Sequence, residues 1–277
     1  MAPRRLDWGN GSSRASVARR PFPQERVSLH SPRANGKESL AARLWSAPVS
    51  LIAGLMLALL ALASRWLGLP FSMLRTLVHE LGHAVTAWVF GRPAIPGFDL
   101  VWGGGITLHG EQKAWLLVPI FGAWIAVLYH LRARVRALIW AVMGLVTYAL
   151  LALTLAHEVL ILFMGHGSEL LFGCLFLYRA LSGQAVISPW ERPLYATAGI
   201  YNVLSVAWFS LRLVLDPDYR WAYGMAKGGG HWMDLSRIAD DYCQCPLETV
   251  AVALLLCSLV PVPLAVRLWR RSRPTKG

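Results

Sequence analysis

Val78-His79-Glu80-Leu81-Gly82-His83-Ala84 is the most informative segment of this 277-residue chain. On a helix, two histidines four positions apart lie on one face, about 6 Å apart along the axis. Each imidazole is then able to give one ring nitrogen to a shared Zn²⁺ ion. Glu80 is turned by roughly 100° from His79 around the helix axis. The spacing therefore predicts two metal ligands beside a carboxylate that acts as a general base.

The segment around this motif is otherwise apolar. Phe71 to Leu77 precede the motif, Ala84 to Phe90 follow it, and Arg75 is the one other charged residue there. The H-E-x-x-H pattern is typical of zinc hydrolases, although in soluble helices it also arises by chance on a solvated face. Ionisable side chains inside a membrane cost free energy, so they mark functional sites as a rule. We therefore interpret the motif as a metal site.

The composition indicates a membrane protein. Hydrophobic residues make up 56% of the chain and the mean hydropathy is +0.46, whereas soluble domains are about 45–50% apolar. Most of the apolar runs are near the ~20 residues that cross a bilayer. The sequence predicts an all-α membrane protein, a polytopic helical bundle of six to seven transmembrane helices in a lipid bilayer. The runs cover 47–64, 71–90, 114–130, 136–164, 168–182, 194–215 and 247–266.

The net charge of +12 flanks the apolar runs and forms no pattern typical of nucleic-acid binding. By the positive-inside rule, the basic C-terminus is expected in the cytoplasm, and no nucleic acid is expected as a partner. The predicted regions are a disordered basic arm over 1–45, a membrane-embedded domain over 46–268 that carries the motif, and a basic tail over 269–277. An organelle transit peptide is the alternative interpretation of the arm.

Seven full crossings conflict with this charge distribution. They would put the basic arm and the basic tail on opposite sides of the membrane, with the acid-rich loop from Asp216 to Glu248 opposite the tail. We expect that one segment does not cross fully, and that it is the 71–90 region with the residues that follow it.

A short β-hairpin is expected directly after the motif helix. Gly91-Arg92-Pro93 ends the helix, and the chain turns through Ala94 to Gly97. Phe98 to Trp102 and Ile106 to His109 are β-prone and flank a glycine run, which predicts two strands. An ordinary glycine loop is the alternative. A hairpin beside the metal would offer an open edge for pairing with an extended substrate.

From about Leu74 to Gly110 the chain resembles the intramembrane zinc metalloproteases of the site-2 protease class, peptidase family M50. The resemblance rests on the motif from Val78 to Ala84, on Phe90-Gly91-Arg92 and on the glycine-rich segment that ends at Ile106. It implies that His79 and His83 bind Zn²⁺ and that Glu80 is the catalytic acid and base. It also implies that the substrate is a membrane-anchored protein and that the enzyme resides in a bacterial inner membrane.

Two features depart from the family pattern. Pro119 to Ala123 takes the place of a small-residue Ala-Gly-Pro element, and the Asn-Pro…Leu-Asp-Gly segment that normally supplies an aspartate ligand is missing. The expected replacement is Glu169, or else His166, within Met164 to Leu170. The two residues share a helix face, and the neighbouring glycines 165 and 167 are expected to loosen the backbone. A water-facing helix start is the alternative. Weaker ligand candidates are His157, Glu158, His231 and Asp234.

Two other classes of protein remain open. One is a non-catalytic membrane scaffold or chaperone derived from such a protease, which the missing aspartate segment favours. The other is a membrane di-iron oxygenase, which needs about as many clustered histidines as the eight that this chain scatters along its length. The sequence implies no particular oligomeric state.

Overall fold

A computed structural model describes residues 46–99 and 104–272 of the chain. The predicted disordered arm over 1–45 lies outside the described residues, and so do the last five residues of the predicted tail. The first residues of that tail, from Trp269 to Ser272, instead continue the final helix. The described residues belong to one compact unit.

Most of the described chain is helical. The long helices are α1 (Ala47–Ala63), α2 (Arg65–Val89), α3 (Ala114–Leu131), α4 (Val135–Leu153), α5 (Ala156–Ser182) and α6 (Glu191–Leu215). Short elements follow: α7 (Pro217–Gly224), a 3₁₀ turn (Ala226–Gly229), α8 (Asp234–Arg237) and a π-helical turn (Ile238–Cys243). The last helices are α9 (Leu247–Ser258) and α10 (Pro261–Ser272).

Within the described residues, five helical segments are long and apolar enough to cross a membrane: α3, α4, α5, α6 and the stretch Leu247–Ser272. A sixth span results if α1 and α2 form one crossing, although they bend by 102° at their junction. The bend lies at Ser64, whose extended backbone (φ −115°, ψ 119°) interrupts the helix. The expectation of a helical membrane protein agrees with this architecture, and the irregular segment includes the suspected motif helix.

The predicted hairpin is present, but its first strand begins earlier than expected, and residues 100–102 of the expected strand lie outside the described residues. Strands β1 (Ala94–Phe98) and β2 (Gly105–His109) pair antiparallel, in a register that aligns Ala94 with His109. The stretch from Ala94 to Gly97, which we expected to be a turn, is therefore strand. The reversal occurs instead at Gly91, whose φ of 72° favours glycine. Pro96 fits this strand because it occupies a position that donates no hydrogen bond to β2.

The hydrogen-bond pattern of the hairpin fixes which backbone groups face outward. Asp99 N–H donates to the Gly104 carbonyl (3.1 Å), and Gly110 N–H donates to the Pro93 carbonyl (2.8 Å). In an antiparallel pair, hydrogen-bonded and non-hydrogen-bonded positions alternate. The outward-facing backbone groups of β2 are therefore those of Gly105, Thr107 and His109.

Helix α5 contradicts two expectations about the apolar runs. The expected run over 136–164 is divided near Thr154 and Leu155, so His157 and Glu158 lie at the start of α5. Gly165 and Gly167 lie inside the continuous helix from Ala156 to Ser182, so the expected loosening of the backbone there is wrong, and so is a helix start. The physical reason is packing: Gly165 allows another helix to approach, as small residues do between membrane helices.

The helix that approaches α5 here is the motif helix α2, and the two helices come close together at Gly82. A Cβ atom on Gly82 would lie 2.6 Å from the Cβ of Ser168 and closer still to the Met164 carbonyl oxygen. The Ser168 hydroxyl lies 2.7 Å from the Val78 carbonyl and 2.8 Å from the Gly165 carbonyl, so it is able to bridge the helices. This contact sets the depth at which the motif faces α5.

Gly82→Ala should lower the stability of the folded protein, because the added methyl group collides with backbone and not with a flexible side chain. Overpacking of this kind costs about 1–3 kcal/mol, and a lower midpoint of thermal unfolding in detergent would measure it. Gly122→Ala is the matched control, since its Cβ meets nothing within 4 Å. Equal stability of the Gly82 and Gly122 variants would contradict this packing.

Candidate active site

The motif opens into a cavity of about 590 Å³. Helix α2 contributes Arg75, Thr76, His79, Glu80 and His83 to its wall, and β2 contributes one side. Helices α5 and α6 and the loop between α6 and α9 complete it. The wall contains both charged and aromatic side chains. Helix α6 and the loop contribute the aromatic ones, which are Phe209, Tyr219, Tyr223 and Trp232.

Three donor atoms meet at one point of this cavity. The Nε2 atoms of His79 and His83 lie 3.0 Å apart. Asp234 Oδ2 lies 3.2 Å from each of these two nitrogens. Ligands of a tetrahedral site with bonds of about 2.0–2.1 Å stand roughly 3.3–3.4 Å apart. The triangle of His79, His83 and Asp234 is therefore close to the size that one metal ion requires.

The orientation of the two imidazoles agrees with a metal site. His83 Nδ1 lies 2.7 Å from the Ile161 carbonyl, and a carbonyl only accepts, so this nitrogen carries a proton. His79 Nδ1 lies 2.7 Å from Glu169 Oε1 and donates to it. Both Nε2 atoms of the neutral rings then present lone pairs toward the Asp234 carboxylate. Such an arrangement repels itself unless a proton or a cation lies between the three atoms.

Space for an ion beside these donors depends on Gly165. A Cβ atom at this position would lie 2.6 Å from His79 Nε2 and closer still to His83 Nε2. Any other residue would therefore occupy the volume next to both nitrogens. The glycine that we expected to loosen α5 serves close approach instead.

Glu169, the expected third ligand, lies on the other side of the His79 ring. Its Oε1 is 2.7 Å from His79 Nδ1 and 3.2 Å from His166 Nδ1. Its Oε2 lies 3.9 Å from Arg75 Nε. His79, His166 and Glu169 form a second group that could hold a metal, but an ion bound there would use Nδ1 of His79. The choice of Glu169 or His166 as third ligand stays a prediction, and the first group offers Asp234 instead.

Asp234 reaches the cavity because its loop folds back onto the helices. The next residue, Leu235, is fully buried and packs with Leu162, Val206 and Tyr223. Leu235 N–H donates to the Tyr223 hydroxyl at 3.2 Å. Burial opposes ionisation of Asp234, but a proton held between its carboxylate and the imidazoles of His83 and His79 keeps its pKa below its usual range. The sequence placed Asp234 among the weaker candidates because a residue after three glycines shows no periodicity that reveals its depth.

Glu80 is held against the hairpin. Its Oε2 accepts a hydrogen bond from Thr107 Oγ1 at 2.6 Å, and its side chain is buried. Gly105 covers the carboxylate so closely that a Cβ there would lie 2.5 Å from Glu80 Cδ. The expected proximity of hairpin and motif is therefore observed, and Thr107 and Gly105 are site residues that sequence reasoning missed. Their signal was weak, because neither a glycine nor a threonine in a short strand is specific to a catalytic site.

The remaining candidates lie in other contacts. Glu158 forms an ion pair with Arg92, and His157 Nδ1 donates to the Thr154 carbonyl at 2.6 Å. His231 Nε2 lies 3.1 Å from Asp241 Oδ1 in the exposed part of the loop. The structure therefore brings Asp234 to the motif and leaves these three elsewhere.

No family model matches this chain, and neither a curated protein nor a solved structure matches it. Only the residues of the chain and their geometry therefore indicate its function.

Asp234→Ala should abolish tight binding of a divalent cation such as Zn²⁺, because it removes one corner of the donor triangle. Glu169→Ala should weaken binding by roughly 10–100-fold, the usual effect of losing a carboxylate that orients a metal-binding histidine. Competition with a chelating dye measures both affinities on the purified protein. Asp241→Ala is the control, since Asp241 lies in the same loop and pairs with His231. A larger loss of metal affinity in Glu169→Ala than in Asp234→Ala would indicate that Glu169 is the third ligand.

Proposed function

We propose that this protein is an intramembrane zinc metalloprotease that hydrolyses peptide bonds of membrane-anchored proteins. The observation that carries the proposal is the meeting of His79 Nε2, His83 Nε2 and Asp234 Oδ2 within 3.0–3.2 Å of one another. Glu80 follows His79 on the same helix and lines the same cavity. Two histidines and a carboxylate form the ligand set of many hydrolytic zinc sites, and a glutamate next to one of the histidines serves as their general base.

In this proposal, Glu169 is not a ligand but the partner that orients His79. Its contact with Nδ1 keeps Nε2 turned toward the metal, as a carboxylate does for many metal-binding histidines. The Ile161 carbonyl does the same for His83. His166 supports Glu169 from the far side, where their side chains lie 3.2 Å apart. The third ligand is then Asp234, which takes the role that the site-2 protease class gives to an aspartate.

The proposed chemistry divides between the metal and Glu80. Bound Zn²⁺ supplies a Lewis acid that acidifies a water molecule and polarises the substrate carbonyl. Glu80 accepts the proton from that water and delivers it to the departing amine. Thr107 donates to Oε2 of Glu80, so it directs the second carboxylate oxygen toward the cavity. Gly105 and Thr107 also shield Glu80 from bulk solvent, which strengthens its interactions within the site.

The free edge of β2 supports the proposal that the substrate is a peptide. Gly105, Thr107 and His109 direct their backbone N–H and C=O groups away from β1, and all three line the cavity beside Glu80. An extended chain is able to pair with such an edge through backbone hydrogen bonds alone. A membrane-spanning substrate must unwind locally before it is cut, and this edge would satisfy the backbone groups that unwinding releases.

The distribution of charge supports an orientation for the proposed enzyme. If α1 and α2 together cross once, the described chain has six crossings. An even number puts the basic N-terminal arm and the basic tail on one side, which is the cytoplasmic side by the positive-inside rule. The location that follows from the resemblance is a bacterial inner membrane.

Glu80→Gln should abolish cleavage of a membrane-anchored substrate while zinc stays bound, because the change removes the base and no ligand. We expect the rate to fall by at least about 10²–10⁴-fold. Peptide cleavage is measured with the purified protein in micelles, and zinc content by mass spectrometry. Glu111→Gln is the matched control, because the Glu111 side chain is 89% exposed and lies outside the cavity.

Cleavage near the wild-type rate in the Glu80→Gln variant would contradict the proposed protease mechanism. The same preparations separate the alternative classes. One zinc per chain with cleavage fits the protease, two irons fit an oxygenase, and no metal with no cleavage fits a scaffold.

A further inference from the structure

Lys227 connects two elements that each hold part of the site. It lies in the 3₁₀ turn Ala226–Gly229, seven residues before Asp234 in the sequence. Its ammonium group donates to the Gly105 carbonyl at 2.7 Å and lies 3.6 Å from Asp99 Oδ2. The loop that carries Asp234 is therefore fastened to the hairpin that covers Glu80.

The acceptor that Lys227 uses is an unusual one. Gly105 is an outward-facing position of β2, so its carbonyl does not take part in the hairpin. That carbonyl is one of the acceptors that an added strand would need for backbone pairing. The ammonium group of Lys227 donates a hydrogen bond to this carbonyl, but it does not extend the sheet as an added strand would. Lysines are a common means of closing a sheet edge against unwanted pairing.

The backbone of the turn indicates that these contacts hold Lys227 in place. Lys227 has φ 53° and ψ 37°, a left-handed conformation that is unfavourable for a residue other than glycine. Gly228 and Gly229 follow with φ values of 80° and 73°. Glycines at these positions give the chain the freedom to move away once the ammonium group releases its acceptor.

We propose that Lys227 is an autoinhibitory latch: it occupies the Gly105 carbonyl on the free edge of β2, and an extended peptide must displace it in order to bind. The latch rests on the proposed function, because it presumes that this edge takes a peptide. Its consequence is that resting protein keeps the edge closed and the Asp234 loop against the hairpin. Binding of an unwound substrate and opening of the loop are then one event.

Peptide binding to full-length protein tests the latch without cleavage. The Glu80→Gln background prevents hydrolysis, and the probe is a labelled apolar peptide of about 20 residues with a central Asn-Pro pair that weakens its helix. Lys227→Met should tighten binding about tenfold, the scale of one hydrogen bond to a charged group. Lys227→Arg keeps a cationic donor and should stay near the parent, as should Lys113→Met, whose side chain is exposed beside Glu111.

An unchanged or weaker affinity after Lys227→Met would overturn the proposal, because the lysine would then support the site and not close it. Absence of peptide binding by both the Glu80→Gln parent and its Lys227→Met variant would overturn the proposal too, since removal of the lysine should expose the edge of β2. The proposed protease activity is judged separately, by cleavage with Glu80 intact. Latch-dependent binding without any cleavage would count against proteolysis and leave the latch standing.

Discussion

The close approach of α2 and α5 is the constraint on which the site depends. Gly82 brings the motif helix against Met164 and Ser168, and Gly165 brings α5 against the rings of His79 and His83. Only at this separation does the Ile161 carbonyl reach one imidazole and Glu169 the other. The packing that joins two apolar helices therefore also sets the tautomer and the direction of both histidines. Stability and site geometry have a common origin here.

Charge balance is the second constraint. Glu80, Glu169 and Asp234 bring three carboxylates to the cavity, and Arg75 brings one guanidinium near Glu169. Lys227 lies beside Asp99 and Arg237 lies beside Asp241, so these two cations face other carboxylates. Counted as ionised groups, the three carboxylates and Arg75 sum to −3 + 1 = −2. A divalent cation would neutralise that sum, which is the state that a partly buried site favours.

Local sequence patterns predicted the parts of the site that are close in sequence. His79, Glu80 and His83 depend on helical periodicity alone, and the hairpin depends on β-prone residues around glycines. Asp234 was predicted only as a weaker ligand candidate, because 150 residues separate it from the motif and the residues before it show no periodic pattern. Its position follows from the burial of Leu235 and from the Tyr223 hydroxyl, which are tertiary contacts. Thr107 and Gly105 became recognisable only when the register of the hairpin placed them against Glu80.

Glycines were the most ambiguous signal. At position 91 a glycine does make the turn, with φ 72°, but at 82 and 165 it serves close helix packing within regular helices. The sequence does not distinguish these roles, because both require only the absence of a side chain. The expected loosening of the backbone near Gly165 supported a third ligand between Met164 and Leu170. Helix α5 is continuous there, and Glu169 Oε1 faces Nδ1 of His79.

X-ray absorption at the zinc edge of the purified full-length protein tests the central claim most directly. We expect one zinc per chain, with nitrogen and oxygen neighbours at about 2.0–2.2 Å and the scattering signature of two imidazoles. A protein that binds no stoichiometric zinc under these conditions, or a zinc shell containing sulfur at about 2.3 Å, would contradict it.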